Sequence, residues 1–423
     1  MSDGDIDRGV DGDVSIYERL GVKRVINLYG AITLLGASSL SPRVMRAVLE
    51  ANDRYASMRD LRDRAGETIG RILGCESATV TTGTAGGLVL SVAATMAGRD
   101  PGSVSRLPDV SGMPHEVLIQ APVRWLYERA VTQTGARLRR AGTATRCTVE
   151  DLEAAIGPTT AAIIHIVAPR KARPSDELLD LDQLVEVGHR RDIPVIVDAA
   201  GQNFPLEETF RWHAQHGDLV CFGAKYINGP NAAGYVCGRR DLIEAVNAQD
   251  FISFDEVGQQ GLHGGIGRAL KVDRSDIVAA VVSLQEWFEM DHRQWRTRFR
   301  TQLRVVEDAV RDIPFVAASW AGHHDGSEAG GIWLRIEVHE RAPRRAQEIA
   351  EDLAAGDPPI WVAWTTGNPE FISLGSGKPP GLIEGDAEIV AARLVDALGS
   401  TRPRHGPPSH HPATLARGAV GAI

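Results

Sequence analysis

Ile193-Pro-Val-Ile-Val-Asp-Ala-Ala200 and Asp218-Leu-Val-Cys-Phe-Gly-Ala-Lys225 decide how this chain is read. Each is a short apolar run rich in β-branched residues, and each delivers one charged side chain at its end. Runs of this length and composition, bounded by Gly, Pro or Asp, read as buried strands. Outward from them, strand-like segments at 116–120, 136–140, 161–168, 195–198, 219–223 and 233–237 alternate with helix-like ones at 86–96, 123–133, 149–156 and 181–190. That alternation predicts an α/β fold on a mostly parallel sheet. In such a sheet Asp198 and Lys225 would both emerge at the carboxyl edge, where open α/β folds bind ligands.

The texture changes after Arg274. A long helical stretch over 275–311 precedes strands near 332–338, 360–364 and 371–374, and a helix over 386–398 closes the pattern. The expected organisation is a leader and arm over 1–25, a large α/β domain over 26–274, and a connecting helix with a smaller α+β domain over 275–400. The proline-rich, polar stretch 401–423 reads as disordered. Ser41-Pro42 reads as an N-cap followed by proline in the first helical turn.

The 423 residues are 43% hydrophobic and 24% charged, an ordinary globular balance. A net charge of −9 argues against general nucleic-acid binding, which needs clustered Lys and Arg. The arginines at 293, 296, 298, 300 and 304 read as a solvated helix face. Cys75, Cys147, Cys221 and Cys237 are scattered without metal-ligand spacing, so no disulfide framework and no metal site is expected. The acidic N-terminus lacks the apolar core of a secretory signal, and no apolar run is long enough to span a membrane. The expectation is a cytoplasmic protein.

Three features carry chemistry. Thr81-Thr82-Gly83-Thr84-Ala85-Gly86-Gly87 links a strand-like run to a helical one. Small residues let a backbone approach an anion, and a helix start offers free N–H groups and the positive dipole end. The segment reads either as a phosphate cradle or as a tight strand-to-helix turn packed with small residues. It matches neither a Walker loop nor a dinucleotide fingerprint. Asp198 reads as a ligand-binding acid or as the cap of a turn. Lys225, after an apolar strand, stands where lysine seldom sits without a partner or a function. Cradle, acid and lysine together suit pyridoxal 5'-phosphate (PLP): the lysine forms a Schiff base, and the acid pairs with the protonated pyridine nitrogen.

On these residues the chain resembles the fold-type I PLP enzymes of the selenocysteine synthase-like (SelA-like) family. The resemblance runs through Val25-Ile-Asn-Leu-Tyr-Gly30, Leu35-Gly-Ala-Ser-Ser-Leu-Ser-Pro42 and Ala78-Thr-Val-Thr-Thr-Gly-Thr-Ala-Gly-Gly-Leu88. It continues through Leu107-Pro-Asp-Val-Ser-Gly-Met113, Pro194-Val-Ile-Val-Asp-Ala-Ala200, Gly223-Ala-Lys-Tyr-Ile-Asn-Gly-Pro230 and Gly265-Ile-Gly-Arg-Ala-Leu-Lys-Val272. It implies that Lys225 holds the cofactor, that Asp198 meets its ring nitrogen, and that Thr82, Gly83 and Thr84 bind its phosphate. It places Gln202 beside the ring. Arg124 and Tyr127 match a pocket-lining stretch of the family, against the plain alternative of a helix start. Arg268 and Lys271 match a basic loop that reaches a partner's cofactor or an anionic substrate, against the alternative of a surface loop. The family commonly has two glycines before the lysine, where this chain has Gly223 and Ala224. The expected substrate-binding arginine is missing from Ile360-Trp-Val-Ala-Trp-Thr-Thr366.

The implied enzyme acts on an amino acid or amino sugar acid by Cα deprotonation, with β-elimination of the ammonia-lyase type or β-replacement favoured. Aminotransferase and racemase chemistry are the alternatives, and a cofactor-free binding homologue is a further one. Selenium transfer on seryl-tRNA is set aside, because the chain is acidic and has no sizeable extension before Val25. The family also implies a homodimer or a higher assembly, with a small-molecule substrate and neither nucleic acid nor membrane as partner.

Overall fold

A computed structural model describes residues 15–167, 177–201, 206–258, 263–321, 332–365, 369–376 and 382–400. Twelve strands are described: β1 Ile26–Leu28, β2 Ser77–Thr81, β3 Glu116–Gln120, β4 Arg137–Ala141, β5 Thr160–Ile166, β6 Val195–Asp198, β7 Leu219–Gly223, β8 Gly234–Gly238, β9 Val316–Ala321, β10 Ile332–Val338, β11 Ile360–Thr365 and β12 Glu370–Ser376. They form a seven-stranded sheet of order β2-β8-β7-β6-β5-β3-β4 and a five-stranded sheet of order β1-β11-β12-β10-β9.

In the larger sheet every pairing from β4 through β3, β5 and β6 to β7 is parallel, and β8 alone runs against its neighbours β7 and β2. Strands this apolar must be covered on both faces. Val195 and Val197 enter the core on one face, Ile196 enters the core on the other, and all three have no exposed surface. Burying one such side chain contributes about 1.5–3 kcal/mol. Alternation then places Asp198 on the face of Ile196, beneath the helix Gly83–Ala97, which is apolar nearly all round and buried along most of its length.

The five-stranded sheet joins β1 in parallel to β11 and is otherwise antiparallel. Its inner face packs Leu334, Ile336, Ile360, Val362, Ile372 and Leu374 against helices that include His292–Val310 and Asp386–Gly399. Two ion pairs lie in the same unit, a buried one of Arg344 Nη1 with Asp352 at 2.9 Å and one in which the exposed Arg345 reaches the buried Glu370 through Nε at 2.9 Å.

The α/β class and the mostly parallel sheet are as the sequence led us to expect, and Ser41 does cap the helix Pro42–Asn52. Three details differ. One compact unit takes in the described residues of 1–30 and 292–421, and the other those of 31–291. The expected boundaries at 25/26 and 274/275 therefore move: β1 is a strand of the smaller sheet, and the helix Arg274–Glu289 packs into the core of the large unit. The connecting helix is two helices, because Met290 takes an extended conformation between Arg274–Glu289 and His292–Val310. The helix expected over 123–133 shrinks to Arg129–Thr132, since 122–128 is spent on turns. The expected disorder of 401–423 lies outside the described residues. No described helix is long and apolar enough to cross a membrane.

Candidate active site

β6 and β7 are adjacent and parallel, with Asp198 opposite Cys221, so the two chain ends emerge side by side at the carboxyl edge. Asp198 is buried, at 7% exposure. Its Oδ2 accepts from Trp125 Nε1 at 2.8 Å and its Oδ1 from the Ala200 N–H at 3.2 Å. Both donors are neutral, and no cation pairs with Asp198 among the described residues. Burial therefore pushes the Asp198 carboxyl above its ordinary value, against the pull of these two hydrogen bonds.

Lys225 sits in the 3-10 turn Ala224–Ile227 that follows β7. It is half-buried, and burial lowers the proton affinity of its amine. Lys225 Nζ donates to Thr33 Oγ1 at 3.1 Å and lies 5.0 Å from the centre of the Tyr226 ring. The segment carrying Thr33 is tied to the same turn, because Ser38 Oγ donates to the Gly229 carbonyl at 2.5 Å. Ala224, in place of the second glycine, is fully buried in the core.

The cradle sits at the N-terminus of the helix Gly83–Ala97, at the end of β2. Gly83 has φ +62°, which favours glycine, and nothing lies within 4 Å of where a Cβ would stand. Gly234, on β8, packs directly beneath: a Cβ there would stand 2.5 Å from the Gly83 carbonyl carbon and 2.8 Å from Thr84 N. A Cβ at Gly223 would meet Thr84 Oγ1 at 3.1 Å, so the cradle abuts the end of β7. The Thr82 hydroxyl is already engaged, donating to the Leu270 carbonyl at 2.7 Å with the Lys271 carbonyl at 3.2 Å. Anion donors at the helix start are thus the free backbone N–H groups of its first turn and the Thr84 hydroxyl.

The remaining expected residues fare differently. Thr82 draws the 270–271 segment to the cradle of its own chain, with Lys271 exposed and Arg268 stacked 5.3 Å over the Phe254 ring. Arg124 and Tyr127 are exposed, and Arg124 Nη1 donates to the Ala121 carbonyl at 2.8 Å. Between them Trp125 turns inward to Asp198. Gln202 lies outside the described residues. Sequence reasoning passed over both Trp125 and Thr33. Trp125 lies inside the Arg124–Tyr127 stretch, and no local signal there marks it as the buried member.

A family model described as SelA, L-seryl-tRNA selenium transferase, matches residues 25–313. The chain belongs to this family. It is 30% identical over 388 residues to D-glucosaminate-6-phosphate ammonia lyase of Salmonella typhimurium, covering 90% of this chain and 97% of that protein. A solved structure of D-glucosaminate-6-phosphate ammonia-lyase superposes with a TM-score of 0.77 at 26% identity, covering 91% of this chain and 98% of the other. Identity is 28% to 5'-C-glycyluridine monooxygenase-decarboxylase of a Streptomyces species, over 84% of this chain and 86% of that one. A structure of SPT with PLP shares the fold at 14% identity and a TM-score of 0.51, over 89% of this chain and 87% of that one. The chain is a PLP-dependent enzyme of fold type I.

The residues present fit that cofactor. A buried carboxylate without a cation suits a pyridinium, the open cradle at Gly83 suits a phosphate, and the half-buried amine of Lys225 suits covalent attachment. A cavity of about 620 Å³ opens elsewhere, near the start of β2, lined by Arg62, Arg99 and Arg240 among others. These three arginines are taken: Arg62 by Asp63 and Asp250, Arg99 by Glu244, and Arg240 by the Glu76 carbonyl.

Proposed function

We propose that this enzyme is a lyase acting on an amino acid or amino sugar acid, removing the Cα proton and expelling a β-substituent. The observation that carries the reading is the pairing of a buried, cation-free Asp198 with the Lys225 turn on the next parallel strand. The 30% identity to an ammonia lyase over 90% of the chain supports the reaction class. Lys225 would hold the cofactor, Asp198 its ring nitrogen, and Gly83 and Thr84 its phosphate, with Thr82 bracing the cradle. When bound, PLP supplies the electron sink for the pair left at Cα.

The protein's own groups then handle protons. When not joined to the cofactor, Lys225 Nζ would be free to act as base at Cα, and its lowered proton affinity would keep a share of it uncharged. Thr33 Oγ1 gives the amine a resting partner. Asp198 stays a hydrogen-bond acceptor throughout. For a β-hydroxy substrate the net products are a 2-keto acid and ammonia. A cytoplasmic homodimer is part of the same reading.

The test is direct. Purified protein should be yellow with PLP and release ammonia and keto acid in equal amounts from one member of a panel of amino acids and amino sugar acids. Lys225→Ala should lose both the covalently held chromophore and turnover. Amino transfer to a keto acid without net ammonia, or racemisation alone, would replace the lyase reading. Full turnover by Lys225→Ala would end it.

A further inference from the structure

Trp125 is 8% exposed and packs in the core cluster on the Asp198 face of the large sheet. It gets there because 122–128 is not helical. Arg124 donates to the Ala121 carbonyl, and Arg140 Nη1 donates to the Val123 carbonyl at 2.9 Å. Pinned in this way, the segment drives the indole inward and leaves both neighbours outside. The indole N–H can only donate, so it favours an acceptor that carries charge.

We propose that Trp125 is a positioning residue that keeps Asp198 a carboxylate, oriented to accept from a pyridinium N–H. This rests on the cofactor site described above. Each carboxylate oxygen accepts one N–H, from Trp125 and from Ala200, so the plane of the group is set and each oxygen keeps a lone pair for a further donor. Among the described residues nothing else donates to Asp198 in place of the indole. The neighbouring strands present Ile166 and Cys221 beside Asp198, and burial pushes the Cys221 thiol up, so it stays neutral. Without the indole N–H, the Ala200 amide would be the one donor left among the described residues to oppose burial. The carboxyl would then hold its own proton and have less to offer a cationic ring.

The test uses three variants. Trp125→Phe removes the donor and keeps an aromatic ring, Trp125→His restores a ring N–H, and Asp198→Asn removes the charge. The first readout is the Asp198 carboxyl in PLP-free protein, followed by infrared titration of ¹³C-aspartate-labelled samples and assigned by its loss in Asp198→Asn. Charge-assisted hydrogen bonds of this kind correspond to about one to two pH units. Trp125→Phe should therefore remain protonated to a pH higher by that amount, and Trp125→His should move back toward wild type. The second readout is PLP affinity, expected to weaken about ten- to hundred-fold in Trp125→Phe. In the Asp198→Asn background the same change should have almost no effect, which is the signature of coupling.

An unchanged titration in Trp125→Phe would overturn the proposal. So would an equal loss of affinity with and without Asp198, since Trp125 would then act by packing alone. Wild-type protein that took up no PLP would overturn the cofactor reading itself, a result separate from either of these.

Discussion

Asp198 and Asp250 are both buried carboxylates of the large unit, and they are treated in opposite ways. Asp250 meets Arg62 Nη1 at 2.7 Å and also caps Ile252 and Ser253 through their backbone N–H groups. Asp352 and Glu370 in the smaller unit likewise face arginines. Among the described residues Asp198 meets only an indole and a backbone amide. A protein that neutralises its structural acids internally leaves this one for something brought from outside. The difference teaches where to look for a ligand: at the acid whose charge the fold does not answer.

The comparison can be broken at several points. The largest effect is expected at Lys225, the other half of the site. Lys225→Ala should lower turnover by 10²-fold or more, the scale of a lost general base, measured as ammonia release. Next comes Arg62→Met, which strands Asp250 and should cost about 3–5 kcal/mol in urea unfolding. Asp198→Asn should change the stability of PLP-free protein by only about 1 kcal/mol while greatly weakening PLP binding. If the two substitutions cost the same stability, the contrast between structural and ligand-facing acids fails. Gly234→Ala should come third, at about 1–3 kcal/mol, with weaker PLP binding, because the new methyl would push into the Gly83–Thr84 backbone.

The smallest effect is in pH. Burial disfavours the Lys225 ammonium, so its folded-state proton affinity is depressed below that of an unfolded lysine. PLP-free protein should therefore gain stability as pH rises through the folded value of Lys225, the gain being complete above the ordinary lysine value. Acylation of Lys225 by a small anhydride, followed by peptide mapping, should show a midpoint below that of exposed lysines. A midpoint equal to theirs would mean that the turn after β7 is no more desolvated than the surface.

Much of the site was legible because its signals are local. Asp198 and Lys225 end apolar runs, and Thr82-Gly83-Thr84 starts a helix, so each could be placed from its immediate neighbours. What escaped depends on contacts between distant segments. The inward turn of Trp125 needs Arg140 and Asp198, and nothing in Arg124-Trp-Leu-Tyr127 itself says which side chain is buried. Thr33 reaches Lys225 from far back in the chain. The break at Met290 and the placement of β1 in the smaller sheet were invisible for the same reason: a three-residue strand has no periodicity, and its partner lies near the other end.

That last pairing has a consequence for synthesis. The large unit is one uninterrupted stretch, so it can assemble on the ribosome as soon as its own residues emerge. The smaller unit cannot. Ile26 waits for Ile360, and Lys23 for Asp357, until the segment carrying β11 has been made. The first described strand is thus paired late, and until then its apolar Ile26 and Leu28 stand exposed for chaperones, or for a second nascent chain, to find.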